Sequence, residues 1–323
     1  MRSFNEYIED SFETILEAKG KTTHSNEERI KTLEKWLKGK KYPDYIDQLN
    51  KMIEDPKAKT LLVDGFGGEL GDTDLDMTEE SLQVKTLSPT QSEIDVTQSI
   101  NWELEFPKYI DQIYNQKSIV FNTPLITFRK NYVIDGHHRW SQAFAFNPDA
   151  KMTCINYDGP ISAPQMLKAT QGTIAAVKVE NEDEISDPKK KKIPSETVDG
   201  QNIYDDSWDE KAIIKYITKN VGKTFKDKKG RVHEFHIEEA AETLSKYVEE
   251  IDGDVKKFAK FVAKNLMQLK TNNSPIEGAP NRGDMPQTDK AGAKGGEENT
   301  GPKDKGSALN KLTDDRFVKG AVQ

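Results

Sequence analysis

Cysteine is almost absent from this sequence: Cys154 is the single one among 323 residues. No disulfide can therefore close within one chain, and no cysteine-based zinc site can form. Such sparing use suits a reducing compartment. Long apolar runs are missing as well. None approaches the roughly 18 residues that a membrane-crossing helix needs, so no membrane partner is expected and a cytoplasmic location is. The opening stretch is not expected to be a secretory signal, because Glu6, Glu9, Asp10 and Glu13 interrupt its apolar residues. Apolar side chains are scarce throughout, at 34% against 32% charged. Chains folded along their whole length carry about 45–50% on a count that includes glycine. A small core, thinly packed helices and some disorder are the expectation. The net charge of −8 removes any general attraction to polyanions. Nucleic acid would have to be met by local basic patches.

The apolar residues that are present divide the chain. Phe4, Tyr7, Ile8, Phe12, Ile15 and Leu16 form a helical stripe. Ser25 with Glu28 makes a capping box for a second helix, and Pro43 opens a third. Residues 1–60 thus read as a helical arm, and 61–81 as an acidic Gly/Asp-rich loop. From 82 to 178 the texture is that of an α+β domain. Val84 and Leu87 start a strand ending at Pro89, and Pro107 opens a helix. Short β segments are expected at 119–121, 125–128 and 132–134, the last two joined by a turn at Asn131. A helix follows at 137–146, a strand at 152–157, and a short helix behind Ser162. Residues 179–202 read as a charged linker containing Lys189–Lys192. Residues 203–270 read as a small, mostly helical domain with a hairpin around Gly230. Residues 271–323, rich in Gly, Pro, Asn and Lys, read as a disordered tail.

The strongest local signal is the run from Tyr132 to Trp140. An apolar strand enters a glycine turn at Gly136 and then a helix. That geometry turns the first backbone N–H groups of the helix, and the positive end of its dipole, toward one point. Gly136 allows close approach of a phosphate. Arg139 supplies a forked cationic donor. His137 and His138 add donors that can become charged near neutral pH. Asp135 stands where a metal ligand, a ribose contact or a general base can sit. The bland reading is a helix capped by Asp135 with two solvent-facing histidines.

These residues resemble the turn of the ParB/sulfiredoxin superfamily, whose signature is Gly-x-His-Arg or Gly-x-Arg-Arg. Gly136, His138 and Arg139 match it. The Asp-Gly-His-His-Arg spelling is that of ParB-like proteins labelled nucleases, many from phages, and it resembles that of a free-serine kinase. Leu87–Ile94, with Pro89 and Gln91, is similar to the segment that leads into the family's fold. The resemblance runs over roughly residues 82 to 160. It implies a small mixed sheet with helices, flanked here by the N-terminal arm and the C-terminal, mostly helical subdomain. It implies phosphate contact by Gly136, His137, His138 and Arg139, with Gln91 beside them. The ligand would be a nucleoside di- or triphosphate (CTP, ATP or ADP), with Mg²⁺ and Asp135 as a metal ligand. Catalytic roles in a nuclease, nucleotide hydrolase or phosphotransferase would fall to His138, Asp135 and Glu93. Sulfinic-acid reduction is not expected, since that branch needs a cysteine where His137 stands. Partitioning is not expected either, since 203–270 is too short for the helix-turn-helix array of true ParB proteins.

Other motifs are near misses. Asp72, Asp74 and Asp76 imitate a calcium loop, but Met77 and Gln83 occupy its sixth and twelfth positions. Gly222-Lys223-Thr224 ends like a P-loop, but Ile217 replaces the leading glycine. His233 and His236 read as exposed strand residues. The opening Met1–Asp10 is similar to the start of proteins of large contractile-tailed phages. Phage origin would place the chain in the host cytoplasm or the virion. Its arm or tail would then dock on phage structural proteins. Two alternatives to a nucleotide enzyme stay open: a non-catalytic DNA-associated regulatory module, motivated by Lys211–Arg231 and Lys189–Lys192, and a virion or assembly protein that keeps the fold without its chemistry.

Overall fold

The computed structural model describes residues 75–121, 124–168, 170, 201–226 and 232–280. The helical arm expected over 1–60, most of the 61–81 loop, the linker up to residue 200 and the tail beyond 280 lie outside the described residues. What is described falls in two units. The smaller share, 159–168, carries a helical turn over 163–168. Ser162 Oγ accepts the Gln165 N–H at 3.4 Å, and the Ser162 N–H donates to Gln165 Oε1 at 3.0 Å. That reciprocal pair is a capping box, as expected of Ser162.

The other unit holds Met77–Asp158 and Ser195–Met285. Its five-stranded sheet is built from β1 (Asp76–Gln83), β2 (Ser88–Pro89), β3 (Leu125–Phe128), β4 (Tyr132–Asp135) and β5 (Lys151–Asp158), in the order β1-β5-β3-β4-β2. The sheet is mixed. β3 runs parallel to β5, with Leu125 opposite Cys154 and Phe128 opposite Tyr157. β3 is antiparallel to β4, with a bulge between Ile126 and Thr127, and β2 is parallel to β4. All four side chains of β3 and the central six of β5 are buried, which suits the Leu-Ile-Thr-Phe run of β3 and the Met-Thr-Cys-Ile-Asn-Tyr run of β5 to the sheet's centre.

Helices α1 (Asn101–Glu105) and α2 (Lys108–Asn115) precede the sheet centre, and α3 (His137–Phe146) connects β4 to β5. Beyond residue 200 come α4 (Glu210–Lys219), an antiparallel hairpin of β6 (Thr224–Lys226) and β7 (Val232–Glu234), α5 (Ile237–Ser245) and α6 (Val255–Asn272). Asp209 and Asp254 cap α4 and α6 by accepting the N–H groups of Ala212 and Lys257. One apolar cluster joins Trp140, Phe144 and Phe146 of α3 to Phe258, Val262, Leu266 and Leu269 of α6. Its polar stitches include Trp140 Nε1 donating to Val84 O at 2.8 Å and Asn265 Nδ2 donating to Ala145 O at 3.0 Å.

Several sequence expectations are corrected. Residues 203–270 do not form their own small domain: Ile203, Ile213, Ile217 and the apolar face of α6 share the core of the sheet. The helical stripes were legible, but the surface they cover lies far away in sequence. Residues 76–80, expected in the acidic loop, begin β1. This strand lies at the sheet's edge, where backbone pairing suffices and acidic side chains can stay in water. The strand expected from Val84 opens instead as a 3₁₀ turn at Val84–Thr86. The disordered tail does not start at 271. α6 runs to Asn272, and residues 273–280 bond along β2 and the turn after it. Asn273 Nδ2 donates to Lys85 O and Leu87 O (2.9 and 2.7 Å), Ile276 N–H to Pro89 O and Ser92 N–H to Pro280 O. Composition shows none of these partners.

Candidate anion-binding site

β4 is buried at Val133 and Ile134 and surfaces at Asp135. The chain then reverses into α3 through Gly136, at φ 93° and ψ 24°. This left-handed conformation favours glycine. A second constraint is spatial. A Cβ at 136 would lie 2.6 Å from both Arg139 Nη2 and Leu125 Cδ2. The guanidinium therefore folds back across the glycine, against the helix N-terminus. Gly136 stands at the cap position with no side chain of its own, and the first helical bond runs from the Trp140 N–H to Gly136 O at 2.9 Å.

Arg139 Nη2 lies 3.3 Å from Asp135 Oδ2, and the two side chains are 22% and 35% exposed. This partial cover makes the pair stronger than a fully solvated one, for which about 0–1 kcal/mol is usual. It also sets a competition: an arriving anion must share Arg139 with Asp135. The helix N-terminus adds the equivalent of roughly half a positive charge that the carboxylate does not remove.

β2 carries a second segment to the same place. Because β2 runs parallel to β4, with Pro89 opposite Val133, residues 90–93 continue alongside the start of α3. The join is made by His137. Its ring is 5% exposed, and Nε2 accepts the Thr90 N–H at 3.2 Å. Thr90 Oγ donates to Val133 O at 2.7 Å. The His137 side chain thus ties two segments together from inside, while its backbone N–H belongs to the turn. Gln91 is buried and its amide donates back to Glu93 O, so it too is engaged within its own segment. Glu93 and His138 are half-buried.

Of the residues singled out in the sequence, Asp135, Gly136 and Arg139 form one contact group, and His137 joins it to the segment holding Gln91 and Glu93. Sequence reading missed the supports. Thr90 holds His137. The buried pair Ser99–Ser141, 2.7 Å between hydroxyl oxygens, ties the following turn to α3. Asn202 Oδ1 accepts the Ile94 N–H at 3.0 Å, fixing that turn from another side. These partners are distant in sequence, and the fold alone brings them together. Among the described residues no group of three His, Cys, Asp or Glu side chains can hold a metal ion by itself. Asp135 offers one carboxylate beside the turn, and one or two carboxylates, with phosphate oxygens and several waters, make up the usual Mg²⁺ shell. Asp72 and Asp74 of the calcium-like run lie outside the described residues. Asp76 instead opens β1.

No protein-family model and no curated protein sequence matches the chain. Among solved structures, a Pnob8-like ParB-N domain is similar over 62% of this chain and 72% of its own, at 16% identity and a TM-score of 0.21. A score of that size carries no argument about fold or activity. Among the described residues no helix is long and apolar enough to cross a membrane.

Proposed function

We propose that the turn at 135–139 binds the phosphates of a nucleoside di- or triphosphate, within a ParB/sulfiredoxin-like α+β domain. The observation that carries this reading is the Arg139 guanidinium lying over Gly136 at the N-terminus of α3. The backbone N–H groups of 137–139 and Arg139 supply donors of the kind that hold phosphate oxygens. His138 stands on the first turn as a proton carrier. Mg²⁺ held with Asp135 would screen phosphate charge. Where the bound nucleotide turns over, phosphoryl transfer or phosphodiester cleavage fits a site of helix amides and arginine, which stabilise developing negative charge. In this reading Glu93 and Asp135 are the carboxylates that would take a proton.

The test is calorimetric titration of the full chain with CTP, ATP and ADP, with and without Mg²⁺, repeated on two variants. Arg139→Ala is expected to weaken binding tenfold or more. Asp135→Asn is expected to tighten Mg²⁺-free binding, because it releases Arg139 and removes a like charge. A bound nucleotide at about 100 times its Kd should also raise stability by about 2.7 kcal/mol. Absence of binding by all three nucleotides, or identical affinity in Arg139→Ala, overturns the proposal.

A further inference from the structure

A second feature lies at α4. Ser207, Trp208, Ala212, Lys215, Tyr216 and Lys219 line an open hollow with a cavity volume of about 290 Å³. Its aromatic floor is held in place from behind. Trp208 and Tyr216 pack edge to face, with centroids 6.0 Å apart and planes at 74°. Tyr216 OH donates to Asn101 Oδ1 at 2.8 Å. Lys270 Nζ donates to the carbonyls of Asp205 and Trp208 at 2.7 and 3.1 Å, which pins the turn that presents the indole. Ring positions are therefore fixed before any ligand arrives.

The rim is cationic. Lys215 and Lys219 are exposed and lie four residues apart on one helix face, about 6 Å along the axis. Neither is ion-paired to an acid among the described residues. Asp206, Asp209 and Glu210 stand near Trp208 at the N-terminal end of α4, away from Lys219, and no acid lines the hollow. In a chain of net charge −8, two cations beside a rigid aromatic pair form a local reversal of sign.

A ring-sized hollow floored by aromatics and edged with cations matches a flat π-system joined to anions on either side. We propose that this hollow seats one base of a single-stranded nucleic acid, stacked on Trp208 with its edge toward Tyr216, and with the flanking phosphates on Lys215 and Lys219. Stacking of this kind tolerates any base, while the lysines follow the backbone. The site is independent of the turn at 135–139.

The test uses the full chain and a fluorescein-labelled thymidine 12-mer, followed by anisotropy at several salt concentrations. The double variant Lys215→Glu/Lys219→Glu is expected to weaken binding more than tenfold. It should also reduce the steepness of the log–log salt dependence by about 1.4, since each single-strand phosphate contact contributes about 0.7. Trp208→Leu should weaken binding with little change in that slope, and Trp208→Phe should restore most of it. An abasic 12-mer of equal charge should bind at least tenfold more weakly. The proposal is overturned if the thymidine and abasic strands bind equally, or if the 12-mer does not bind. It is also overturned if the lysine and tryptophan variants, shown to be folded by their thermal transitions, bind like the parent chain.

Discussion

Gly136 is the residue on which the candidate site turns. Its positive φ and the two 2.6 Å approaches to an added Cβ act together, because relieving one does not relieve the other. Gly136→Ala should cost about 1–3 kcal/mol in urea unfolding and displace the Arg139 guanidinium. Glu103 makes a different kind of residue-scale statement. It is wholly buried on α1, and neither carboxyl oxygen has a hydrogen-bond partner. Burial holds its carboxyl well above the ordinary value of 4.5, in the protonated form. The folded state thus keeps a proton that the unfolded state gives up. The associated stability is complete below about pH 4.5 and is lost as pH rises toward the folded pKa. Glu103→Gln removes that titration. The Tm difference between Glu103→Gln and the parent should therefore grow in the variant's favour from pH 4 to pH 8. A flat difference would show that Glu103 does not hold a proton in the core.

At the scale of elements, the β3–β4 connection shows how local sequence can mislead. Asn131 looks like the turn residue, yet Arg129 and Lys130 take the left-handed positions, at φ 53° and 56°. Neighbours offset that strain. The Arg129 N–H donates to Tyr157 O at 2.8 Å and the Lys130 N–H to Asn156 Oδ1 at 2.7 Å. Replacing Arg129-Lys130 by Asn-Gly should stabilise the chain by about 0.5–1 kcal/mol in thermal or urea unfolding. The segment 273–280 is the converse case. Asn273 donates to two carbonyls at the foot of β2, so Asn273→Ala should cost about 1–3 kcal/mol by the same measure. Much of the rest was legible: Pro107 before α2, the runs of β3, β4 and β5, the Gly136 turn into α3, the hairpin and α6. What periodicity can report is an element and its apolar face. It was silent where long-range partners decide the outcome, as for acidic β1, the short α1 and the ordered stretch after Asn272. The site divided the same way. Asp135, Gly136 and Arg139 were readable because they are neighbours in sequence. Thr90, which turns His137 inward, was not, because only strand register brings it there.

For the whole molecule, the shared core makes α6 part of the sheet's stability. Phe258, Val262, Leu266 and Leu269 are fully buried, and at about 1.5–3 kcal/mol each their loss is comparable with the 5–15 kcal/mol by which domains are usually stable. A chain ending at residue 200 should therefore lack a cooperative transition and near-ultraviolet ellipticity, whereas two independent domains would leave the sheet's own transition intact. Cys154 sits at the middle of that core on β5, with no measurable exposure, and burial pushes its thiol up to about 12. Alkylating reagents at neutral pH should thus find almost no thiolate in the native molecule. With no second sulfhydryl to confuse the signal, the speed at which the chain acquires such a label becomes a direct clock for how often its interior opens.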